Sequence, residues 1–345
     1  MLTPVRFALA GFGAWGKLHA QSIAANPDAV LVAITAPSPA SQAEAAASYP
    51  QAQVFADAGE MIAAVEFDII DIVTPSSTHR EIAEAAMRRG RHVLLEKPMA
   101  ITLEDCRAIV DCAASSEVKL AVGHELRLSS QWGAIKQIID RGTIGEPQYV
   151  LVELSRKPYR LGSSGWRYDQ SQVGSWVLEE PIHFFDLARW YLQGSGDPIE
   201  LVAYANSRDP HRPTLFDNFS AMFKYANGSY AVVSQTLAAF EHHQTVKVSG
   251  TKGALWAGWS GALDRTLEPS YFLKVFDGQE VENFAIETHS GEVFELREEI
   301  ATCVKMVRDQ CEPAATGLDG LWSAGLCLIA EESIRQNRPL PINIA

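Results

Sequence analysis

Val5-Arg6-Phe7-Ala8-Leu9-Ala10-Gly11-Phe12-Gly13-Ala14-Trp15-Gly16 is the stretch on which the reading of this chain turns. The apolar run Val5 to Ala10 reads as a buried strand, and a helical pattern follows from Lys17 to Ala25. Between them stands Gly-x-Gly-x-x-Gly. Gly11 allows a tight turn, Gly13 lets backbone approach a pyrophosphate, and Gly16 permits close helix–strand packing. The helix N-terminus offers free N–H groups to an anion. Gly11, Phe12, Gly13, Ala14, Trp15 and Gly16 are therefore expected to hold a dinucleotide.

A ribose anchor is expected about 20 residues on, at the end of the second strand. That region reads Ala33-Ile34-Thr35-Ala36-Pro37-Ser38 and has no acid. Ala36 and Ser38 are expected beside the adenosine ribose. Without the acid a 2′-phosphate is not repelled, yet no Arg or Lys stands nearby to bind one. The choice between NAD and NADP stays open, with a slight lean to NAD.

Outward from the turn, strand-like runs alternate with helical patterns. The strands are Val30 to Thr35, Ile69 to Val73, His92 to Leu95 and Lys119 to Val122; the helices are Ala40 to Ser48, His79 to Arg89 and Leu103 to Ala114. Such alternation predicts βαβ units and a parallel sheet. After about Gly123 the texture changes. Ser130 to Arg141 and Ile182 to Leu192 read as helices. Tyr149 to Ser155, Leu201 to Ala205, Asn218 to Tyr225, Ser229 to Thr236 and Gln244 to Ser249 read as strands, with a hairpin signal at Asn227-Gly228. The chain closes with a helical pattern, Ser323 to Gln336, and an extended tail. The expected fold is a Rossmann dinucleotide-binding domain over 1–123, followed over 124–345 by an α+β domain for substrate binding and oligomerisation. Its mainly antiparallel open sheet is covered by helices on one face.

Leu94-Leu95-Glu96-Lys97-Pro98 places a charged pair at the C-terminal end of a strand, the edge where open α/β sheets bind ligands. With the glycine-rich turn, this motif resembles the glucose–fructose oxidoreductase, inositol dehydrogenase and MocA (Gfo/Idh/MocA) family. Thr74-Pro75 followed by His79 is similar to that family's loop along the cofactor, and Glu96-Lys97-Pro98 to its central motif, whose Lys is catalytic or substrate-binding and whose Lys–Pro bond is often cis. Gly123 to Arg127 is similar to the segment entering its second domain, and Gly317-Leu318-Asp319-Gly320-Leu321 to a later one. The resemblance spans nearly the whole chain. It implies cofactor contacts at Thr74, Pro75, His79, Glu96 and Lys97.

Glu179-Glu180-Pro181-Ile182-His183-Phe184-Phe185-Asp186 resembles the family's Asp-x-Gly-x-His-x-x-Asp, with Glu179 for the first Asp and Pro181 for the Gly. The residues read consistently with this. Proline favours the first helical position, so a helix begins at Pro181 and His183 falls in its first turn. The positive end of the dipole disfavours imidazolium there and keeps a neutral base. Asp186, three residues on, shares a helix face with His183 and is placed to orient the ring. By resemblance Lys97, His183 and Glu179 are catalytic, and Trp166 and Arg167 join them in binding substrate; Glu125 and Arg127, which follow the last strand of the first domain, are expected to line the same cleft. The expected chemistry is hydride transfer between a nicotinamide and a hydroxyl-bearing carbon of a sugar, polyol or cyclitol. The alternative is a dinucleotide-binding sensor of the same fold without turnover.

Composition narrows the partners. Of 345 residues 47% are hydrophobic and 21% charged, ordinary globular usage. A net charge of -13 with no basic run longer than Arg88-Arg89-Gly90-Arg91 argues against nucleic acid and anionic membranes. Met1 to Gly16 is apolar but lacks the basic start and cleavage pattern of a signal peptide. The five cysteines form no C-x-x-C pair, which suits reduced thiols and a cytoplasmic location. His242-His243 invites a metal reading, but neighbouring strand residues face opposite sides, and no metal is expected. A homo-oligomer, dimer or tetramer, is expected, because segments such as Ala231 to Phe240 would otherwise expose apolar area.

Overall fold

A computed structural model describes residues 3–344. Met1 and Leu2, at the head of the apolar start, and Ala345 lie outside the described residues. The chain forms two compact units, one up to Glu125 together with Glu295–Leu321, the other Leu126–Phe294 together with the chain from Trp322 on.

The first unit begins with β1 (Val5–Ala10) and α1 (Ala14–Ala25), then β2 (Ala29–Thr35), α2 (Pro39–Ser48), β3 (Gln53–Phe55), α3 (Ala58–Ala64) and β4 (Ile69–Ile72). It continues through α4 (His79–Met87), β5 (His92–Leu95), α5 (Leu103–Ser115) and β6 (Leu120–Val122). The six strands are parallel in the order β3-β2-β1-β4-β5-β6. That is the doubly wound Rossmann order, whose switch point lies between β1 and β4. The central strands are buried on both faces, which is why they read as apolar runs without alternation. Asp71 is the exception, a fully buried carboxylate inside β4.

The second unit holds α6 (Trp132–Asp140), β7 (Pro147–Arg156), α7 (Gln170–Val173), α8 (Trp176–Glu179) and α9 (Pro181–Tyr191). Then come β8 (Pro198–Asn206), β9 (Asn218–Tyr225), β10 (Tyr230–Thr236), β11 (His242–Gly250), β12 (Ala254–Gly261), β13 (Ser270–Phe276) and β14 (Val281–Asn283). The nine-stranded sheet runs β14-β13-β12-β11-β7-β10-β9-β8-β15, where β15 is Leu340–Pro341. It is antiparallel except where β7 meets β10. Asn227-Gly228 makes the expected β9–β10 hairpin, with Gly228 at φ 88°. Helix α9 packs on β7 and β10, against the face carrying Val150, Val152, Ala231 and Val233.

Several features differ from the sequence expectation, strands β12 to β14 among them, since the reading ended its strands at Ser249. Strand β3, three residues long, and α3 are too short to stand out as periodic. Residues 292–309 form an 18-residue helix, α10 (Glu292–Asp309), which precedes α11 (Gly317–Gln336). The apolar spacing of Val293, Leu296, Ile300, Val304 and Val307 would have revealed α10. Its Ile300, Cys303, Val304 and Met306 join Phe7, Leu9, Ile34 and Ile69 in the core of the first unit. A single cut at 123/124 therefore differs from the compact units, because amphipathic spacing says that a helix has an apolar face but not which core receives it. Finally, Ala231, Val233 and Leu237 face the core, so the segment Ala231 to Phe240 is not the exposed apolar surface; of its large hydrophobics only Phe240 is exposed.

Because Ile300 is fully buried in that core, Ile300→Ala is expected to cost about 2–5 kcal/mol. Denaturant unfolding measures this, and a cost well under 1 kcal/mol would remove α10 from the first unit's core.

Candidate active site

The dinucleotide turn has the geometry its glycines imply. Gly11 has φ 104°, and a Cβ there would lie 2.5 Å from the Val73 carbonyl oxygen. A Cβ on Gly16 would lie 2.1 Å from the Gly11 carbonyl oxygen, so α1 can cross β1 this closely only with glycine. Gly13 is different. Nothing lies within 4 Å of its would-be Cβ, and it caps α1 without a side-chain hydrogen bond. The turn is thus packed against protein at its first and third glycines and open at its second, where the first N–H groups of α1 emerge. A pyrophosphate fits that opening. The Gly11 N–H donates to Thr35 Oγ1 at 3.1 Å, tying the turn to the end of β2.

Side chains of the turn do other work. Phe12 is buried edge-on against Tyr49 at 6.1 Å. Trp15 Nε1 donates to Glu96 Oε1 at 2.8 Å. Ala36 needs correcting as a ribose neighbour. It is fully buried in the core, its N–H donates to the Phe55 carbonyl, and its carbonyl accepts from Gln42 Nε2. The exposed residues are Pro37 and Ser38, and Ser38 caps α2 by accepting from the Ser41 N–H at 3.2 Å. The turn of the chain past β2 buries position 36 and exposes position 38, a distinction that strand spacing does not carry.

His79 is a second correction. Its ring is fully buried, with Nδ1 3.0 Å from the Pro98 carbonyl and Nε2 2.9 Å from the Thr74 carbonyl. It braces the Thr74-Pro75 loop against the Lys97-Pro98 loop rather than presenting its ring to a ligand. The Lys97–Pro98 peptide is cis. Lys97 itself is partly exposed at the C-terminal end of β5.

Beneath the turn lies a charge cluster that the sequence reading missed. His19 Nδ1 is 2.8 Å from Asp71 Oδ2, and its Nε2 is 3.1 Å from Glu96 Oε1. Glu299 of α10 completes a set in which one donor atom each of His19, Glu96 and Glu299 falls within 4.8 Å of the others. All four residues are buried. Burial opposes the charge of His19, but Asp71 and Glu96 outweigh it and raise its pKa well above the ordinary value. Burial pushes the Glu299 carboxyl well up, reinforced by the charge of Glu96. Glu96 goes down despite its burial, because His19, Lys97 and Trp15 favour the carboxylate. The surroundings thus favour the protonated forms of His19 and Glu299 and the ionised form of Glu96. Asp71, a charge within an otherwise apolar strand, was the signal in the sequence.

In the second unit, Pro181 does open α9, and His183 sits in its first turn, 5% exposed. Glu179 ends the preceding short helix α8, which Ser175 caps. Arg167 Nε donates to Glu179 Oε1 at 2.6 Å, and its guanidinium lies 5.1 Å from the centre of the Trp166 ring. Burial works against the Arg167 charge, and Glu179 more than offsets it. Trp166 packs on an apolar cluster of Tyr159, Val173, Trp176, Leu215 and Leu237. Glu125 and Arg127 lie on one 3-10 turn, Glu125–Leu128, and both are buried. Both Asp186 oxygens accept from Arg127, at 2.7 Å each, a bidentate pair that the helix-face reading did not contain. The Arg127 guanidinium also lies 5.1 Å from the centre of the Trp190 ring. Glu180 accepts from Arg156 at 2.5 Å, with His242 Nε2 3.6 Å away. His242 is buried while His243 faces Ser260 Oγ at 2.9 Å, so the two histidines do point apart.

Among the described residues no cysteine is in a disulfide, and four of the five are buried. No helix there is long and apolar enough to cross a membrane.

Comparison with known proteins gives matches along most of the chain. Residues 5–124 match a family model described as "Oxidoreductase family, NAD-binding Rossmann fold", and residues 132–256 match the C-terminal domain model of the same family. An inositol 2-dehydrogenase of Rhizobium meliloti (strain 1021) is 29% identical, covering 98% of this chain and 99% of that protein. A 1,5-anhydro-D-fructose reductase of Ensifer adhaerens is 28% identical over 78% of this chain and 79% of its own length. A solved structure from Sinorhizobium meliloti 1021 superimposes with a TM-score of 0.82 at 27% identity, covering 98% of this chain and 100% of the other.

The raised Glu299 carboxyl has a consequence for stability. A folded pKa above the ordinary one contributes stability in full below about pH 4.3, and that stability is lost as pH rises toward the folded value. Glu299→Gln keeps the shape of the protonated group and removes this loss. Its melting temperature is expected to gain on the parent as pH rises from acid to alkaline, and a constant or shrinking difference would contradict a protonated Glu299.

Proposed function

The chain belongs to the Gfo/Idh/MocA oxidoreductase family, and on that premise we propose that it moves a hydride between a nicotinamide dinucleotide and a hydroxyl-bearing carbon of a cyclitol, polyol or sugar. The observation that carries this reading is the turn at 11–16, closed by protein at Gly11 and Gly16 and open at Gly13. The names of two relatives, an inositol 2-dehydrogenase and an anhydrofructose reductase, support the substrate class. When bound, the nicotinamide supplies the hydride acceptor or donor. The chain's residues supply the rest. The Lys97 ammonium donates a hydrogen bond to the reacting oxygen and stabilises negative charge developing there. His183 takes the hydroxyl proton in the oxidative direction and returns it in the reductive one. Glu179, held by Arg167, accepts hydrogen bonds from substrate hydroxyls.

The test is absorbance at 340 nm with a panel of inositols, polyols and aldoses, each with NAD+ and NADP+. Binding of NADH without turnover of any panel member would favour the sensor reading instead. Once a substrate is in hand, His183→Ala and Lys97→Ala are each expected to lose about 10²- to 10⁴-fold in turnover and keep dinucleotide affinity. Lys97→Arg is expected to rescue poorly, because a planar guanidinium does not replace a compact ammonium. Near-normal turnover in His183→Ala would move the proton to another group.

On the cofactor, the reading leans to NAD, and the exposed cap residue is the place to test it. Asp caps a helix as well as Ser, so Ser38→Asp is expected to fold normally, raise KM for NADP+ and leave that for NAD+ alone. Ala36→Asp buries an unpaired carboxylate and is expected to lower the melting temperature instead. Equal KM effects on both dinucleotides in Ser38→Asp would contradict the ribose placement.

The reading also includes a homo-oligomer. The outer face of the nine-stranded sheet exposes Tyr204, Met222, Tyr230, Trp256 and Phe272, with Trp256 56% exposed. A face of this composition fits a second copy of the same sheet. Light scattering is expected to give a multiple of 37.7 kDa, falling to the monomer in Trp256→Glu. A parent chain that is monomeric at micromolar concentration would end the idea.

A further inference from the structure

We propose that His19 and Glu96 form a buried positioning pair for Lys97, with Asp71 anchoring the imidazole and Trp15 joining the same carboxylate to the dinucleotide turn. The Glu96 carboxylate is held from every side. Oε1 accepts from Trp15 Nε1 at 2.8 Å and faces His19 Nε2 at 3.1 Å. Oε2 accepts the Lys97 N–H at 3.1 Å. On the remaining side Gly123, just past β6, is so close that a Cβ there would lie 3.2 Å from both oxygens and from Cδ. Its own N–H donates to the Leu95 carbonyl, which keeps it in place.

The chain of contacts has a direction. Asp71 is rigid because β4 pairs on both sides, with β1 and β5. It fixes His19 through Nδ1, which leaves Nε2 3.1 Å from Glu96 Oε1. Glu96 lies one residue past β5, and its side chain folds back onto the amide of the next residue. That bond sets where the Lys97 backbone leaves the strand, and so where its side chain starts. Neither His19 nor Asp71 is exposed at all, so neither can touch substrate; they act through Glu96. Glu299, buried on α10, closes the cluster from that side. A divalent cation in place of the two protons on His19 and Glu299 would leave the same net charge, so metal content discriminates the two arrangements.

The catalytic arm of the test rests on the role given to Lys97 above, and the spectroscopic arm does not. The full chain, reductively methylated with 13C-formaldehyde, gives one NMR signal per dimethyl-lysine, and the Lys97 signal is the one lost in Lys97→Arg. This signal is expected to shift in His19→Gln, in Glu96→Gln and in Gly123→Ala. Gly123→Ala removes no group and only crowds the carboxylate, so it carries the readout if a charge variant does not fold. An unmoved Lys97 signal in the folded variants overturns the inference, as does a stoichiometric divalent metal by elemental analysis of the purified chain. In turnover, His19→Gln is expected to lose about 10- to 100-fold in kcat with KM for NAD+ little changed. The double variant His19→Gln/Lys97→Ala is expected to be no worse than Lys97→Ala alone. Additive losses would show that His19 acts by another route. Lys97→Ala with full turnover would instead sink the role of Lys97 and leave the spectroscopic result standing.

Discussion

An ionised carboxylate buried beneath a nucleotide-binding turn constrains everything around it. Glu96 is 6% exposed, and an unpaired charge at that depth is among the costliest things a fold can contain. The first unit meets the cost with donors drawn from separate parts of the chain: an indole from the glycine turn, an imidazole one helical turn further along α1, and a backbone N–H from Lys97. The strand ends, the turn and α1 are thereby locked in one arrangement, since moving any of them would strand the charge.

The second unit applies the same rule to α9. Three guanidiniums are each committed to a carboxylate near its start: Arg127 to Asp186, Arg156 to Glu180 and Arg167 to Glu179. Removing one partner of such a pair leaves an uncompensated buried charge and typically costs about 3–5 kcal/mol. These pairs are therefore poor sources of net stability and good sources of geometry. Orientation is what the polyhydroxylated substrate proposed above requires, because its hydroxyls resemble one another chemically and differ mainly in direction.

The glycine turn itself shows how economical the local constraint is. Two glycines admit carbonyl oxygens where a Cβ would collide, and the third leaves space. Backbone spacing thus leaves the start of α1 open, and the side chains of Phe12 and Trp15 are released to core packing and to Glu96.

What the sequence by itself determined was local and periodic. The turn at 11–16, the parallel strands around it, the Glu96-Lys97-Pro98 strand end and the helix opening at Pro181 were all legible. Each depends on residues near one another in the chain: a glycine spacing, an apolar run, a proline at the first helical position. Only the tertiary structure decided which core received α10, which side of position 36 was buried, and which carboxylates met which guanidiniums. Asp186 could be placed on a helix face by counting, but its pairing with Arg127, 59 residues away, could not. The same holds for His19, Asp71, Glu96 and Glu299, from four separate elements. A lone histidine or acid in the sequence carries no mark of its partners, because desolvation and Coulomb attraction act through space and are set only when distant segments pack together.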